Sequence, residues 1–240
     1  GINETTEEGE HIVSLRSILP NLPTLRQYRP MMQDFWTEGL FDAMDRRYFR
    51  LVDRSGGTLS LLAPEFRAGF DTDARFARFS ASFNHPSTKS FYNKMTHYDM
   101  VTSLPALLQV EDRVSMAASL ESRVPLLDHR IVELVASMPP RMKFRGGELK
   151  YVLKKAVGSL LPPPVLDRKD KMGFPVPLHL WARGSAREFF ADVLLSRRSV
   201  ERGLIDRAEV EKLMGQEHAF GRRLWGLLNL ELWHRTYIDA

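Results

Sequence analysis

Between residues 104 and 127 an apolar run is interrupted by ionisable side chains: Glu111, Asp112, Arg113, Glu121 and Arg123. Burying a charge is costly unless it is paired or hydrogen-bonded. Such residues therefore either form structural ion pairs that tie helices together, or they face a polar cleft. A second segment reads Arg168-Lys169-Asp170-Lys171-Met172-Gly173-Phe174-Pro175-Val176-Pro177. A lysine ahead of a glycine-containing irregular loop can contact phosphate as a mobile point charge. The alternative is a solvated basic turn. A third stretch, Ser55-Gly56-Gly57-Thr58-Leu59-Ser60, looks like a phosphate loop. A phosphate-cradling loop follows a buried strand and opens a helix. Here a charged, helical segment precedes the glycines, so a surface turn is expected. The seven histidines show no metal-ligand spacing, and no metal site is expected. His97 and His129 read as helix-surface or capping residues.

The run Leu104-Pro105-Ala106-Leu107-Leu108-Gln109-Val110-Glu111-Asp112-Arg113-Val114-Ser115-Met116 continues through Glu121-Ser122-Arg123-Val124-Pro125-Leu126-Leu127-Asp128. It resembles the motif of class B, glutamine-dependent asparagine synthetases. That motif is Leu-Pro, Leu-Leu, Asp-Arg, Ser-Met, then Glu-x-Arg-x-Pro-Leu/Phe-Leu-Asp. The resemblance implies that the segment lines a cleft where ATP and aspartate meet. It makes Glu121 the cleft carboxylate, placed to orient or deprotonate an amine nucleophile. Asp112, Arg113, Arg123 and Asp128 would hold the shape of the cleft. The 168–177 segment resembles the family's Arg-x-Lys-x-Gly-Phe-x-x-Pro loop. By that likeness Lys171 takes the place of the lysine on the ATP phosphates, stabilising charge that builds on pyrophosphate. Lys169 is its neighbour and competitor for the role. Lys143 to Lys154, with Gly147, Lys150 and Leu153, resembles the family's Lys…Gly-x-x-Lys-x-x-Leu helix and reads as mainly structural. Together the recognisable segments cover about residues 96–180.

The resemblance implies a mainly α chain: the helical C-terminal part of an α/β synthetase domain of the adenine-nucleotide α-hydrolase-like, PP-loop ATP pyrophosphatase type. Residues 1–240 would be a single fragment of that domain, with 1–11 frayed. The family's Ser-Gly-Gly-x-Asp-Ser loop is not in this sequence; at residues 55–60 Leu59 stands where its Asp would be, and the position is also wrong. The N-terminal cysteine that hydrolyses glutamine and the acidic Gly-Glu/Gln-Gly-x-Asp-Glu segment are also not in this sequence. Full-length family members use ATP and Mg2+ to adenylate the aspartate side chain, which ammonia from glutamine then attacks. The expectation is that this chain begins inside a longer protein, supplies one wall of that site, binds no cofactor tightly, and is inactive alone. Its partners would be ATP, aspartate, ammonia, and the glutaminase and PP-loop portions of the same polypeptide; a homodimer is compatible with this. Three rivals stand beside it: a β-lactam synthetase or peptide-cyclising relative acting on another carboxylate, a helical nucleic-acid-binding module, and a structural fragment that docks on its nucleotide-binding half. An exposed apolar surface along residues 100–135 would favour the last.

Composition sets wide bounds. The chain has 240 residues, 43% of them hydrophobic and 27% charged, with a net charge of +4. A core is therefore available. The sequence pI of about 9.4 is compatible with an anionic ligand or nucleic acid. The basic residues are spread among acids and no nucleic-acid motif is present, so no nucleic-acid partner is expected. Without cysteine, disulfides and thiolate chemistry are excluded within this chain. That fits a cytosolic protein, and a cytoplasmic location is expected. No apolar run reaches about 18 residues, so no membrane partner is expected.

The elements that must position these residues are helices. Leu22, Leu25, Tyr28, Met32, Phe35 and Trp36 recur at helical spacing, and Phe41 to Val52 continue it. Phe66, Phe70, Phe76, Phe79 and Phe83 predict helix over 64–83. A helix is expected over 91–110, kinked or divided at Pro105, and a second over 113–120. Asp128 is the expected N-cap of a helix over 129–138, stopped by Pro139-Pro140. Gly146-Gly147 reads as a turn before an amphipathic helix from Leu149 to Leu160. Pro162-Pro163-Pro164 should begin an extended segment, with 165–180 irregular. Asp206 with Glu209 resembles a capping box. Leu224, Trp225, Leu228, Leu232 and Trp233 stripe the last helix. No strand pattern is convincing, and Thr58–Leu62 is the best short candidate.

Overall fold

The computed structural model describes residues 42–53, 55, 57–145, 148–168, 176–217 and 221–239. The expected fraying of 1–11, the helical periodicity of 12–41, the Gly146-Gly147 turn, and both Lys169 and Lys171 lie outside the described residues. In chain order the helices are α1 (Met44–Val52), α2 (Pro64–Ala68), α3 (Thr72–Phe83), α4 (Phe91–Val101), α5 (Ser103–Ala117), α6 (His129–Ser137) and α7 (Pro140–Lys143). A minimal hairpin of β1 (Phe144–Arg145) and β2 (Glu148–Leu149) follows, then α8 (Tyr151–Val157), α9 (Pro163–Leu166) and α10 (Leu178–Arg183). The chain ends with α11 (Arg187–Leu194), α12 (Arg197–Glu201), α13 (Arg207–Gln216) and α14 (Arg223–Tyr237). The described chain is thus mainly helical, as expected. It divides into two units, Gly1–Leu51 with Asp73–Lys171, and Val52–Thr72 with Met172–Ala240.

Side-chain capping begins several of the helices. Orphan amides of the first turn need acceptors. Ser90 supplies one to Asn93 N–H at 3.2 Å ahead of α4, and Asp128 one to Arg130 N–H at 2.9 Å ahead of α6. Asp206 does the same for Glu209 N–H at 3.1 Å ahead of α13. Both expected caps, Asp128 and Asp206, are therefore present.

The helix expected over 91–110 is divided ahead of Pro105, as expected. The break falls at Thr102, whose hydroxyl donates to the Tyr98 carbonyl at 2.6 Å, and α5 then runs unbroken from Ser103 to Ala117 rather than restarting at 113. Pro105 sits in the first turn of α5, where its missing N–H has no intrahelical partner to lose. Two other expectations are corrected. The triple proline does not begin an extended segment. Pro162 precedes α9 and Pro163 opens it, because the fixed proline φ suits a first turn. Finally, Thr58–Leu62 is not a strand: Leu59–Leu61 forms a 3-10 turn and only Leu62 bridges Ile205. The strands lie at β1 and β2, with Phe144 opposite Leu149 and Arg145 opposite Glu148. Two residues per strand leave no alternation to detect.

The core of the first unit is aromatic. Phe76, Phe79 and Phe83 recur at three and four on α3, which places them on one face. The Phe83 ring lies 5.2 Å from Tyr48 of α1, 5.1 Å from Phe79 and 5.5 Å from Phe91 of α4. Tyr98 closes on Phe79 at 4.9 Å. The Tyr48 hydroxyl donates to Asp99 Oδ1 at 3.3 Å. Burial pushes both groups up, the phenol and the carboxyl, and the carboxylate beside it raises the phenol further. Phe66, expected in the same stripe, is on α2 and stays exposed.

The second unit packs Leu61, Leu178, Phe190, Leu194, Val210 and Leu224 with their neighbours around α13 and α14. The Leu61 carbonyl accepts Asp206 N–H at 2.8 Å and pins the 3-10 turn to this core. Glu217 is fully buried, and its Oε2 accepts Leu224 N–H at 3.1 Å, capping α14 through space. Of the predicted stripe on α14, Leu224 and Leu228 are buried while Trp225, Leu232 and Trp233 are exposed.

Glu231, only 4% exposed, accepts from Arg202 Nε at 2.7 Å and Arg235 Nε at 2.8 Å. Arg202 also bonds Asp239, as does Arg198 at 2.8 Å. Burial works to raise the Glu231 carboxyl, yet the two guanidiniums outweigh it and hold it low. The hydrogen bond from Arg202 holds the Asp239 carboxyl at about 2, below its ordinary 3.8. A carboxyl lowered in the folded state adds stability above its unfolded pKa and loses it as pH falls through the folded one. Asp239→Asn should therefore destabilise the chain at pH 6. That difference from the native chain should shrink below about pH 4 and vanish near pH 2. Urea titrations across this range check it; a difference constant with pH would refute the ion pair.

Candidate functional site

The motif residues fall on α5, on the segment after it, and at the start of α6, all within the first unit. Helix α5 is almost wholly exposed, with Leu104, Leu108 and Ser115 partly covered on the side that meets α4. Glu111, Asp112 and Arg113 lie on its exposed surface. The helix ends in a tight reversal: Leu120 N–H bonds the Ser115 carbonyl at 3.0 Å and Ser119 N–H the Met116 carbonyl at 2.9 Å. Ser119 takes a left-handed φ of +56°. Glycine usually fills this place after a helix, because a Cβ there meets the backbone.

The reversal delivers Glu121 and Arg123 to a segment without regular structure. Arg123 Nη2 donates to Glu121 Oε2 at 2.9 Å. Both are open to solvent, their side chains 65% and 78% exposed. Asp112 and Arg113 approach each other at 3.7 Å. Asp128 accepts from Arg130 Nε at 2.9 Å and Nη2 at 2.8 Å besides capping α6, and the Arg130 contacts hold its carboxyl below the usual range. These pairs join near neighbours in sequence. They do not tie one helix to another, so the motif charges form no interhelix pair among the described residues. Solvent-exposed pairs of this kind contribute about 0–1 kcal/mol. Lys171 and Lys169 lie outside the described residues.

One tie does span the turn. Ser122 Oγ donates to Glu111 Oε1 at 3.1 Å, linking the Glu121 segment back to α5. Nothing in the residue pattern singled it out, since a serine on a loop and a glutamate on a helix carry no mutual spacing rule. The left-handed Ser119 is equally unmarked, because serine is not the residue the turn favours.

The apolar surface along residues 100–135 is present. Leu107, Val110 and Val114 form a stripe at spacings of three and four on α5, with Val114 69% exposed. Leu120, Leu126 and Leu134 are exposed as well.

Ser55 and Gly57 behave as a turn. The Thr58 and Leu59 amides both bond the Ser55 carbonyl, at 2.7 and 3.0 Å, rather than facing a ligand. Among the described residues no group of three or more His, Asp or Glu is placed to hold a metal ion, and no helix is long and apolar enough to cross a membrane. His97 lies on α4 and His129 opens α6.

The ordered Asp-Arg-x-Ser-Met and Glu-x-Arg-x-Pro-Leu-Leu-Asp strings thus run along α5, the segment after it and the start of α6. A model of the asparagine synthase family matches residues 14–235, and the chain belongs to that family. Glutamine-hydrolyzing asparagine synthetase 1 of Bacillus subtilis is 32% identical over 163 residues, 65% of this chain and 25% of that protein. A putative glutamine-hydrolyzing asparagine synthetase of Mycobacterium tuberculosis H37Rv is 32% identical over 203 residues, 81% of this chain and 30% of that protein. Amidase chry2 of Gibberella zeae is 27% identical over 103 residues, 40% of this chain. No solved structure matches. The chain spans 25% to 30% of the length of the two synthetases.

Proposed function

We propose that this chain is part of an enzyme that adenylates the aspartate side chain with ATP and amidates it with ammonia derived from glutamine, giving asparagine, AMP and pyrophosphate. The observation that carries the reading is the ordered string from Asp112 to Asp128 inside a chain that the family matches over residues 14–235. Glu121 is the residue assigned to the incoming amine. Arg123 engages its Oε2, and among the described residues no hydrogen-bond donor is recorded on Oε1. A carboxylate so placed orients an amine or takes its proton as the new carbon–nitrogen bond forms. Lys171 is assigned to the pyrophosphate, where a fixed cation offsets developing negative charge; Lys169 is its alternate.

Among the described residues no group of three or more His, Asp or Glu is placed to hold a metal ion. A magnesium ion that accompanies ATP needs only one or two carboxylates beside the phosphates and water. Most of the grip on the nucleotide is assigned to polypeptide outside the described residues. The α/β PP-loop half of the domain is the natural cover for the Leu107, Val110 and Val114 stripe. The shares of relatives' length given above support this, as does the exposure of these three side chains. The enzyme that results would work in the cytoplasm. A second reading is amidation of a different carboxylate by the same adenylating core.

The test is aspartate-dependent release of pyrophosphate. A polypeptide containing the whole synthetase should form AMP and pyrophosphate with aspartate, and the 240-residue chain alone should form none. Turnover by the chain alone would sink the assignment of nucleotide binding to the remainder. Turnover by the longer polypeptide with another carboxylic acid, and none with aspartate, would favour the second reading.

A further inference from the structure

We infer that Glu111 is a positioning residue for Glu121, acting through Ser122. The inference rests on the role proposed for Glu121. From Ala118 to Val124 the chain has no regular structure, and its side chains are exposed. Such a segment explores many conformations unless it is tethered, and ordering a residue's backbone costs about 1–2 kcal/mol. Its two ends are held. At the start, the left-handed Ser119 and the bonds to the Met116 and Ser115 carbonyls turn the chain off α5. At the end, Pro125 opens a 3-10 turn in which Leu127 N–H bonds the Val124 carbonyl at 2.9 Å.

The middle is held by a side chain. Among the described residues, the bond from Ser122 Oγ to Glu111 Oε1 is the side-chain hydrogen bond recorded between α5 and this segment. In an extended chain neighbouring side chains point to opposite sides, while residues two apart share a side. The Glu121–Arg123 pair is such an i, i+2 contact. Holding Ser122 on Glu111 therefore fixes the Glu121–Arg123 pair relative to α5. The latch sets the direction in which the carboxylate is offered. The direction of one carboxylate is what it controls, and misplacing a reacting group by about 1 Å costs on the order of a hundredfold in rate.

The experiment uses a polypeptide containing the whole synthetase, with Glu111→Ala, Glu111→Gln, Ser122→Ala, Ser122→Thr and Glu121→Gln. Initial rates give kcat and KM for aspartate amidation, thermal melts give stability, and hydrogen exchange follows the amides of residues 119–124. Glu111→Ala and Ser122→Ala should lower kcat about tenfold to a hundredfold with KM for ATP and the melting temperature unchanged. Exchange at 119–124 should speed up. Glu111→Gln keeps an acceptor and Ser122→Thr keeps a donor, so both should restore most of the rate. Unchanged kcat in Glu111→Ala, alongside an inactive Glu121→Gln, overturns the positioning role and leaves the function of Glu121 standing. A loss that neither conservative variant restores, or one that follows the melting temperature, marks a structural role and also overturns it. Full activity in Glu121→Gln removes the underlying assignment, and the positioning role with it.

Discussion

Glu121→Gln, made in a polypeptide containing the whole synthetase, should reduce asparagine formation by about 10²- to 10⁴-fold, the range typical of losing a positioned general base. The substitution keeps the shape of the side chain and removes its ability to accept a proton. The side chain is 65% exposed and its one recorded partner is Arg123, itself exposed, so folding should be nearly unaffected. Breaking an exposed pair alters stability by about 0–1 kcal/mol. The expected pattern is a fall in kcat for amidation with an unchanged melting temperature. Aspartate-dependent exchange of pyrophosphate into ATP, which precedes attack by the amine, should survive better than amidation. Equal loss of both steps would place Glu121 at adenylation instead. Native activity would remove it from the chemistry.

Phe83→Ala should destabilise the first unit by about 3–5 kcal/mol, the cost of deleting a buried aromatic ring and leaving its cavity. Phe83 is 1% exposed and its ring lies within 5.5 Å of those of Tyr48, Phe79 and Phe91. These residues belong to α1, α3 and α4, so the ring joins three elements. The neighbours are large rings, two of which, Tyr48 and Phe79, stack on Phe83 itself, and rings of that size are limited in how far they can collapse into the gap. Near-UV circular dichroism in denaturant, with hydrogen exchange in α1, α3 and α4, reads the effect. A loss under about 1 kcal/mol would show that the aromatic cluster is not the core of that unit. The substitution bears on the site as well. Only Thr102 separates α4 from α5, the helix carrying Glu111, Asp112 and Arg113, so loosening α4 loosens the base on which the Glu121 segment is built.

Particular residues show why some of this was legible and some not. Asp128 and Asp206 announce their helices because a capping carboxylate acts two or three residues away, a distance that sequence spacing records directly. Phe76, Phe79 and Phe83 announce a buried face for the same reason. The Asp112–Asp128 string carried the family because it is long and ordered. Thr102 was harder. Pro105 announces a division, since it cannot bond the carbonyl four residues back, but the residue at which the chain breaks is set by a threonine hydroxyl that satisfies the Tyr98 carbonyl. The charges of the motif were harder still. Their apolar setting left two readings, ion pairs tying helices or a polar cleft; in this chain the helix that bears them is exposed and they pair locally.

The sequence by itself determined that the chain is helical, where its capped helices begin, which family it belongs to, and which carboxylate and lysines are candidates for chemistry. These follow from interactions between near neighbours and from an ordered string of residue types. Only the tertiary structure decided that Ser119 turns left-handed, that Ser122 reaches back to Glu111, that Glu217 caps a helix seven residues on, and that Leu107, Val110 and Val114 stand open. Each depends on how the backbone brings non-neighbours within about 3–4 Å, the range over which hydrogen bonds and packing act. No spacing rule along the chain encodes that distance.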